Sequence, residues 1–254
     1  MAVVERERRG RVGIVTLNRP EARNAVNRDV ATGVEDALDE FERDDDLRVV
    51  VITGRGPTFC AGADLKMIAS GHGTDGATKR GGFGGVASRE FPKPLIAAVN
   101  GPALAGGFEI VLACDMVVAA DDATFGIPEV RRGLFAAAGG LIRLPRRVAL
   151  PLATELALTG DPIDARRAYT VGLVNRIVPA ERVLDEALVL ADRIAEHPPL
   201  AVLNARRMIR ESPYLSDEDA WARSNQLAIE VFRRPESIEG ASAFSEKRAP
   251  TWSE

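Results

Sequence analysis

Short apolar runs and amphipathic segments alternate along the first 178 residues of the chain. Unbroken β-rich runs at 48–53, 94–99 and 116–120 predict buried strands, because strands covered on both faces carry continuous apolar sequence. Apolar residues at helical spacing over 29–41 predict a helix. Strands that alternate with helices are typical of an α/β domain.

The pattern changes after Pro179, where helical periodicity continues without any strand signal. The predicted helices are 182–195, 200–209, 217–232 and 235–244. We therefore expect a core domain over residues 1–190 and a helical region over 191–254.

The segment 100–115 combines a glycine pair with a carboxylate in an apolar run. Gly106 and Gly107 are expected at the start of a helix, where backbone N–H groups lack helical partners and can hold a developing anion. Glu109 lies about one turn further on among apolar residues, so its pKa should be raised by burial. Two structural alternatives stay open: the glycines allow close packing, and Glu109 is a satisfied polar group of the core.

A second carboxylate, Glu129, follows a proline twenty residues later, outside any regular helix. A second glycine pair, Gly139 and Gly140, then opens another predicted helix. Taken alone, Glu129 is an ordinary surface glutamate. Beside Glu109 it gains meaning, because two carboxyl groups can divide acid and base chemistry between them.

The segment 59–67 follows a predicted strand and a Gly-Arg-Gly-Pro turn. Its small residues at 61–63 leave the backbone open to close approach by a ligand. Asp64 suits a helix N-cap, and Lys66 could meet a phosphate. The alternative is an ordinary strand–turn–helix connection.

Several other signals are weak. The G-x-G-x-x-G pattern at 71–76 lacks a preceding strand, so no dinucleotide site is expected; we predict a mobile loop over 70–86. His72 and His197 have no ligand cluster around them, so no metal site is expected. Cys60 and Cys114 stand in apolar segments and are predicted to be free core thiols.

Composition narrows the class of protein. The chain has 254 residues, of which 46% are hydrophobic and 28% charged, enough for one substantial core and an appendage. It has no secretory apolar region or membrane-length run, and 5% aromatic residues without a basic stripe disfavour nucleic-acid binding. These features predict a cytoplasmic protein that binds neither membrane nor nucleic acid, and they are compatible with an enzyme.

Taken together, the motifs resemble those of the crotonase (enoyl-CoA hydratase/isomerase) superfamily over nearly the whole chain. The matching stretches are Leu17-Asn-Arg-Pro-Glu-Ala-Arg-Asn24, Phe59-Cys-Ala-Gly-Ala-Asp-Leu-Lys66, Ala97-Ala-Val-Asn-Gly101 through Gly106-Gly-Phe-Glu109, Phe125-Gly-Ile-Pro-Glu129, Leu158-Thr-Gly-Asp161, Gly172-Leu-Val-Asn-Arg176 and Ala243-Phe-Ser-Glu-Lys-Arg248. Each motif is weak alone, but their order and separations are specific.

The resemblance implies an α/β fold, a crotonase-like ββα spiral core with a C-terminal α-helical oligomerisation region that builds a homotrimer or homohexamer. It implies that the backbone N–H groups of Ala63 and Gly106 form an oxyanion hole for an acyl-CoA thioester. It also implies that Glu109 and Glu129 are catalytic, Glu129 protonating Cα and Glu109 orienting water. No separate cofactor is implied, because coenzyme A is part of the substrate.

Coenzyme A is anionic while the chain carries a formal net charge of −4, so its binding must depend on local basic residues. The resemblance implies that Arg23 and Lys66 flank its pyrophosphate and adenine region. It further implies an adenine wall at 61–65 and two residues that reach the site from elsewhere in the assembly. The wall includes Ala61, Asp64 and Leu65, and the two distant residues are Phe244 and Lys247.

The chain departs from the commonest hydratase pattern between Gly133 and Arg143, where it lacks a proline-containing stretch and a Thr-Gln pair. Its Gly-Gly-Leu-Ile-Arg-Leu-Pro145 form resembles carnitinyl-CoA dehydratase, and Phe135 is expected to narrow the acyl pocket. Enoyl-CoA hydratase is the leading interpretation. The alternatives are an isomerase or carnitinyl-CoA-type dehydratase of the same superfamily, or a non-catalytic CoA-binding scaffold.

Overall fold

The computed structural model describes residues 2–72 and 74–252 and divides the chain into two compact units, one up to Asp192 and one from Arg193. The strands are β1 (Val4–Arg9), β2 (Val12–Leu17), β3 (Val49–Gly54), β4 (Ala77–Thr78), β5 (Gly82–Phe83), β6 (Leu95–Val99), β7 (Ala103–Leu104), β8 (Met116–Ala120), β9 (Thr124–Gly126), β10 (Ile163–Asp164) and β11 (Arg176–Val178). The helices are α1 (Arg28–Arg43), α2 (Leu65–Ala69), α3 (Gly106–Ala113), α4 (Gly140–Arg147), α5 (Leu150–Thr159), α6 (Ala165–Thr170), α7 (Val183–Ala195), α8 (Pro199–Glu211), α9 (Asp217–Phe232) and α10 (Pro235–Ser245).

The first unit is built on one large sheet with the strand order β1-β2-β3-β6-β8-β11. β1 and β2 are antiparallel, and the other neighbours are parallel. Every residue of β6 is buried, as is every residue of β3 except Gly54. The unbroken apolar runs therefore predict these central strands within one residue of their bounds, and the predicted α/β class is confirmed.

Two small sheets complete the first unit. In one, β9 lies between β7, to which it is parallel, and β10, to which it is antiparallel. In the other, β4 and β5 form a hairpin. The sequence analysis missed all five of these strands because two or three residues are too few to show a period-2 pattern.

Helix α1 packs an apolar stripe into the core and begins at a side-chain cap. The Asn27 side chain accepts a hydrogen bond of 3.0 Å from the Val30 N–H, which satisfies one of the N–H groups without a helical partner. Its buried residues follow helical spacing, which is why the pattern located the helix. They are Val30, Ala31, Val34, Ala37, Leu38 and Phe41.

The predicted loop over 70–86 contains the β4–β5 hairpin and is tied to α1; Gly73 of the glycine pattern lies outside the described residues. Glu35 accepts hydrogen bonds of 2.6 Å from both the Gly81 N–H and the Thr78 hydroxyl. Further along α1, Asp39 and Glu42 form ion pairs with Arg80, which lies in this loop, and with Arg89, which follows it. The mobility of this loop stays a prediction.

The second unit contains α8, α9 and α10 and has no strand within its described residues. Inside it, the buried Asn204 amide donates a 3.1 Å hydrogen bond to the Leu227 carbonyl and so links α8 to α9. Ser216 caps α9 by accepting from the Asp219 N–H. The predicted strand-free helical region is confirmed, with helix bounds that differ from prediction by at most two residues.

Two further findings concern the described residues only. Cys60 and Cys114 are buried and form no disulfide, as predicted, and burial raises the pKa of the Cys60 thiol to about 12. No helix among them is long and apolar enough to cross a membrane.

Candidate active site

Two neighbouring parallel strands bring the two predicted glutamates together. Strand β7 pairs with β9 through Ala103–Phe125 and Leu104–Gly126, and the Ala105 N–H adds a 2.9 Å hydrogen bond to the Gly126 carbonyl. Because β7 and β9 are parallel, the segments that follow them begin at the same edge of this small sheet. β7 leads into α3, which carries Glu109, and β9 leads into the 3-10 turn Pro128–Arg132, which carries Glu129.

The carboxyl group of Glu109 is buried and held by backbone. All eight residues of α3 are buried, and Glu109 itself is 3% exposed. Its Oε1 accepts a hydrogen bond of 2.8 Å from the Gly140 N–H at the start of α4. Burial raises the pKa of Glu109, while the N–H groups of Gly140 and Ala138 and the charge of Arg143 act against that rise.

The carboxyl group of Glu129 is also buried, at 8% exposure, but has less support. Its Oε2 has no hydrogen-bond partner in the part of the chain that the structure describes. The pKa of Glu129 is raised to about 7: burial is the main cause, its own backbone N–H acts against the rise, and the nearby charge of Glu109 contributes to it. The two carboxyl groups are therefore close enough to influence each other's titration.

Two backbone N–H groups in neighbouring segments, those of Ala63 and Gly106, have no acceptor among the described residues. Val26 pairs with residues on either side of Ala63, so the Ala63 N–H points away from it. Within residues 2–72 and 74–252, neither Ala63 N–H nor Gly106 N–H has a hydrogen-bond acceptor. A Cβ placed on Gly62 would lie 3.0 Å from the Gly106 nitrogen, which shows how closely the two segments approach.

The start of α3 is tightly constrained. Ala105 adopts φ 52° and ψ −132°, a conformation that costs a non-glycine residue about 1–3 kcal/mol. The ring of Phe83 covers Gly106, and any Cβ on that glycine would overlap the ring. The N–H groups at this helix start are thus held in place by strained backbone and by an aromatic side chain.

The predicted coenzyme A residues of the first unit lie together around the Ala63 segment. The Ala61 N–H donates a 3.0 Å hydrogen bond to the Arg23 carbonyl, and both Arg23 and Lys66 expose their side chains. Asp64 caps α2, as predicted, by accepting from the Lys66 N–H, and it also binds Arg19. Phe244, 88% exposed, and Lys247 belong to the second unit.

A cavity of about 300 Å³ opens elsewhere on the first unit. Its wall includes the carboxylates of Glu5, Glu7 and Glu181, with Arg55 as its basic residue. Three carboxylates disfavour an anionic ligand such as coenzyme A. This cavity therefore does not compete with the glutamate pair as the candidate active site.

Comparison with known proteins shows the family of this chain. The family model for enoyl-CoA hydratase/isomerase matches residues 7–254. The chain belongs to this family. This family is the one that the crotonase superfamily is named for in the sequence analysis, so the resemblance of the motifs is confirmed.

Individual members of the family are similar over almost their full length. An enoyl-CoA hydratase of Mycobacterium tuberculosis is 41% identical, with 97% of this chain and 94% of the relative covered. A carnitinyl-CoA dehydratase of Proteus mirabilis is 38% identical, with 96% and 95% covered. A solved enoyl-CoA hydratase of M. tuberculosis superposes with a TM-score of 0.94 at 46% identity, covering 100% of this chain and 99% of that one.

The sequence of this enoyl-CoA hydratase/isomerase family member did not indicate the contacts that three parts of the site make. Phe83 lies in a glycine-rich stretch without periodicity, so nothing in the sequence indicates that it covers Gly106. The Gly139–Gly140 pair was noted as a helix start, but its contact with Glu109 links positions 31 residues apart. Arg143 follows one turn after Gly139, and that helical spacing was the only signal available for it.

Proposed function

We propose that the protein is an enoyl-CoA hydratase, a lyase that adds water reversibly to a 2-enoyl-CoA thioester to give a 3-hydroxyacyl-CoA. The observation that carries the proposal is the pair of buried carboxyl groups with unequal surroundings. Glu129, whose pKa is raised to about 7, is protonated for much of the neutral range. Glu109, held by backbone N–H groups, is the better carboxylate.

These two states suit the two halves of water addition. Glu129 gives its proton to Cα of the enoyl group, while Glu109 accepts a proton from the water whose oxygen bonds to Cβ. The electron pair of the double bond passes through an enolate to the new C–H bond. Afterwards Glu109 is protonated and Glu129 ionised, so one proton must return before the next cycle, through solvent or between the carboxyl groups. No redox change occurs, and the reaction needs no cofactor besides the substrate's own coenzyme A.

The enolate requires a place for its negative charge. We assign that role to the N–H groups of Ala63 and Gly106, which have no acceptor within the described residues. A preorganised donor of this kind contributes about 2.7–4 kcal/mol to lowering a barrier. The strain at Ala105 and the Phe83 ring support this role, since donors that need no reorganisation are the effective ones.

We propose that coenzyme A binds along the segment beside this hole. The exposed basic side chains of Arg23 and Lys66 supply local positive charge, and residues 61–65 wall the adenine. Phe244 and Lys247 would reach the coenzyme from another subunit. This assignment rests on the family resemblance, and the backbone pairing of Ala61 with Arg23 supports it within the first unit.

We also propose that the chain assembles as a homotrimer or a dimer of trimers. The second unit exposes large apolar side chains that a monomer would leave in water, including Trp221 and Phe232, each 72% exposed. A measured mass of three or six chains in solution supports this assembly, and a monomer contradicts it. Cys60 and Cys114 form no disulfide, which suits a reducing compartment, and we propose the cytoplasm.

The test of the proposed reaction is the loss of enoyl-thioester absorbance from crotonyl-CoA. We expect rapid hydration by the wild type and losses of about 10²–10⁴-fold in kcat for both Glu109→Gln and Glu129→Gln, with little change in substrate binding. The exposed Glu155→Gln on α5 is the matched control and should keep full turnover.

Each other outcome has a distinct meaning. A glutamine variant with near-normal turnover at saturating substrate would exclude its residue from the assigned role. A wild type that binds acyl-CoA without hydrating it would favour a second candidate, a carnitinyl-CoA-type dehydratase, which the 38% identical relative supports. Carnitinyl-CoA and 3-enoyl-CoA are then the substrates to test. Failure with all of them indicates a CoA-binding scaffold.

A further inference from the structure

We propose that Arg143 is a positioning residue that holds Glu109 in place and keeps it ionised as the water-activating base. The inference rests on the proposed hydratase function for that last role. Its physical content, an effect of Arg143 on the Glu109 carboxyl group, can be measured without turnover.

The guanidinium of Arg143 joins two segments that are far apart in sequence. Its Nη2 donates a 2.6 Å hydrogen bond to the Ala87 carbonyl, which precedes β6. Its Nη1 lies 3.4 Å from the Ala138 carbonyl, in the segment before α4, and the side chain passes closely over Gly139. A planar guanidinium holds two carbonyls in a more rigid relation than an ammonium group on its flexible stem does.

The segment that Arg143 holds is the one that binds Glu109. The Ala138 N–H favours the ionised form of the Glu109 carboxyl group, and the Gly140 N–H donates a hydrogen bond of 2.8 Å to it. Arg143 engages the carbonyl of the first of these residues, so its side chain fixes the turn from which both N–H groups point. Movement of that turn would weaken the hydrogen bonds that favour the ionised form.

The other end of this connection is firmly anchored. Ala87 belongs to the segment that three carboxylates of α1 hold, Glu35 through Gly81 and Asp39 and Glu42 through two arginines. The Arg89 side chain is 1% exposed and binds both acidic residues. Buried charge pairs of this kind are costly to break. The Ala87 carbonyl that Arg143 binds therefore lies in a segment that is itself held to α1.

The charge of Arg143 acts in the same direction. The charged groups that influence the carboxyl pair are Arg143, from α4, and the two glutamates themselves, from α3 and the turn after β9. Arg143 lowers the pKa of Glu109, against the effect of burial. Without it, Glu109 would be protonated up to a higher pH and could not accept a proton from water there.

The experiment compares Arg143→Met, Arg143→Lys and Arg146→Met with the wild type. Arg146→Met is the matched control, because it removes the same charge from an exposed position on the same helix. Two quantities are measured for each protein, the pH dependence of kcat and the infrared titration of the Glu109 carboxyl band. That band is assigned by its loss in Glu109→Gln, and thermal unfolding checks that each variant is folded.

We expect Arg143→Met to raise the titration midpoint of Glu109, to move the acidic limb of kcat to higher pH, and to reduce kcat about tenfold at neutral pH. KM should change far less, because the substrate does not depend on this contact. Arg143→Lys keeps the charge without the double hydrogen bond, so its titration should stay near wild type while kcat falls part of the way. Arg146→Met should change neither quantity.

Unchanged titration and an unchanged acidic limb in a folded Arg143→Met would overturn the inference. If Arg143→Met does not fold, an Arg143→Lys variant with wild-type kcat would overturn the positioning role. A wild type without hydratase turnover would instead overturn the proposed function. The infrared titration would still decide whether Arg143 acts on Glu109.

Discussion

Glu109 and Glu129 follow neighbouring parallel strands, yet the helix and the turn that carry them treat their carboxyl groups differently. On α3, Glu109 accepts a hydrogen bond from the Gly140 N–H and experiences the positive charge of Arg143. In the turn after β9, Glu129 is buried with one oxygen that lacks a partner among the described residues, beside the charge of its neighbour. Burial alone would raise both pKa values, so the difference comes from the partners.

The difference in hydrogen-bond partners allows two glutamates to take different roles, Glu129 as the acid and Glu109 as the base. A carboxyl group with few partners keeps its proton, whereas one that accepts backbone N–H groups gives it up more readily. The roles therefore depend on α4 and the residues just before it, which supply Arg143 and the N–H groups near Glu109. The following predictions test the difference between the two carboxyl sites.

The largest expected effect is on the pH dependence of kcat/KM for hydration. Glu129 must be protonated to act as the acid, so the rate should fall above about pH 7, approaching a tenfold loss per pH unit. Glu109 must be ionised, and its raised pKa places the acidic limb above the ordinary value of 4.5. Initial rates with crotonyl-CoA from acid to alkaline pH measure both limbs. A rate that stays constant through pH 9 would contradict the acid role of Glu129.

The next effect is on stability. Glu129 is neutral in both states below about pH 4.5; as pH rises to about 7 the unfolded chain loses the proton first, so the folded state loses relative stability. Glu129→Gln removes this cost and should raise the free energy of unfolding by on the order of 1–3 kcal/mol at pH 8, but not near pH 4.5.

Glu109→Gln is the matched comparison for that measurement. Its pKa is raised by burial but lowered by N–H groups and by Arg143, so its replacement should stabilise the fold less. Thermal unfolding at several pH values, with reversibility checked, gives both numbers. Equal stabilisation by the two variants would mean that the two carboxyl sites are energetically alike.

The smallest effect concerns the backbone contact of Glu109 alone. In Gly140→Ala the new Cβ would lie 3.0 Å from Glu109 Oε1, so the carboxylate must shift, and we expect kcat to fall about tenfold. Gly240→Ala in α10 is the control, since its nearest neighbour is an ordinary 3.5 Å away, and it should leave kcat unchanged. Steady-state kinetics decide, and a Gly140→Ala variant with wild-type kcat would show that the contact is not needed.

Elements encoded by local sequence patterns could be predicted, whereas contacts between distant segments could not. The buried strands β3, β6 and β8 and helix α1 were predicted nearly to their bounds, and the start of α3 was predicted at its glycine pair, because local periodicity and glycine positions encode them. The pairing of β7 with β9 was not, because strands of two and three residues have no pattern of their own. That pairing is what places Glu129 beside Glu109.

From the sequence alone followed the central strands β3, β6 and β8, the C-terminal helices, the burial of Glu109, the cap at Asp64 and, through its motifs, the family. Only the tertiary structure decided that Glu129 is the more isolated carboxyl group, that Phe83 covers Gly106, and that Arg143 joins Ala87 to the turn that binds Glu109. The physical reason is that a pKa depends on desolvation and on partners brought from distant segments, and these do not exist until the chain has folded.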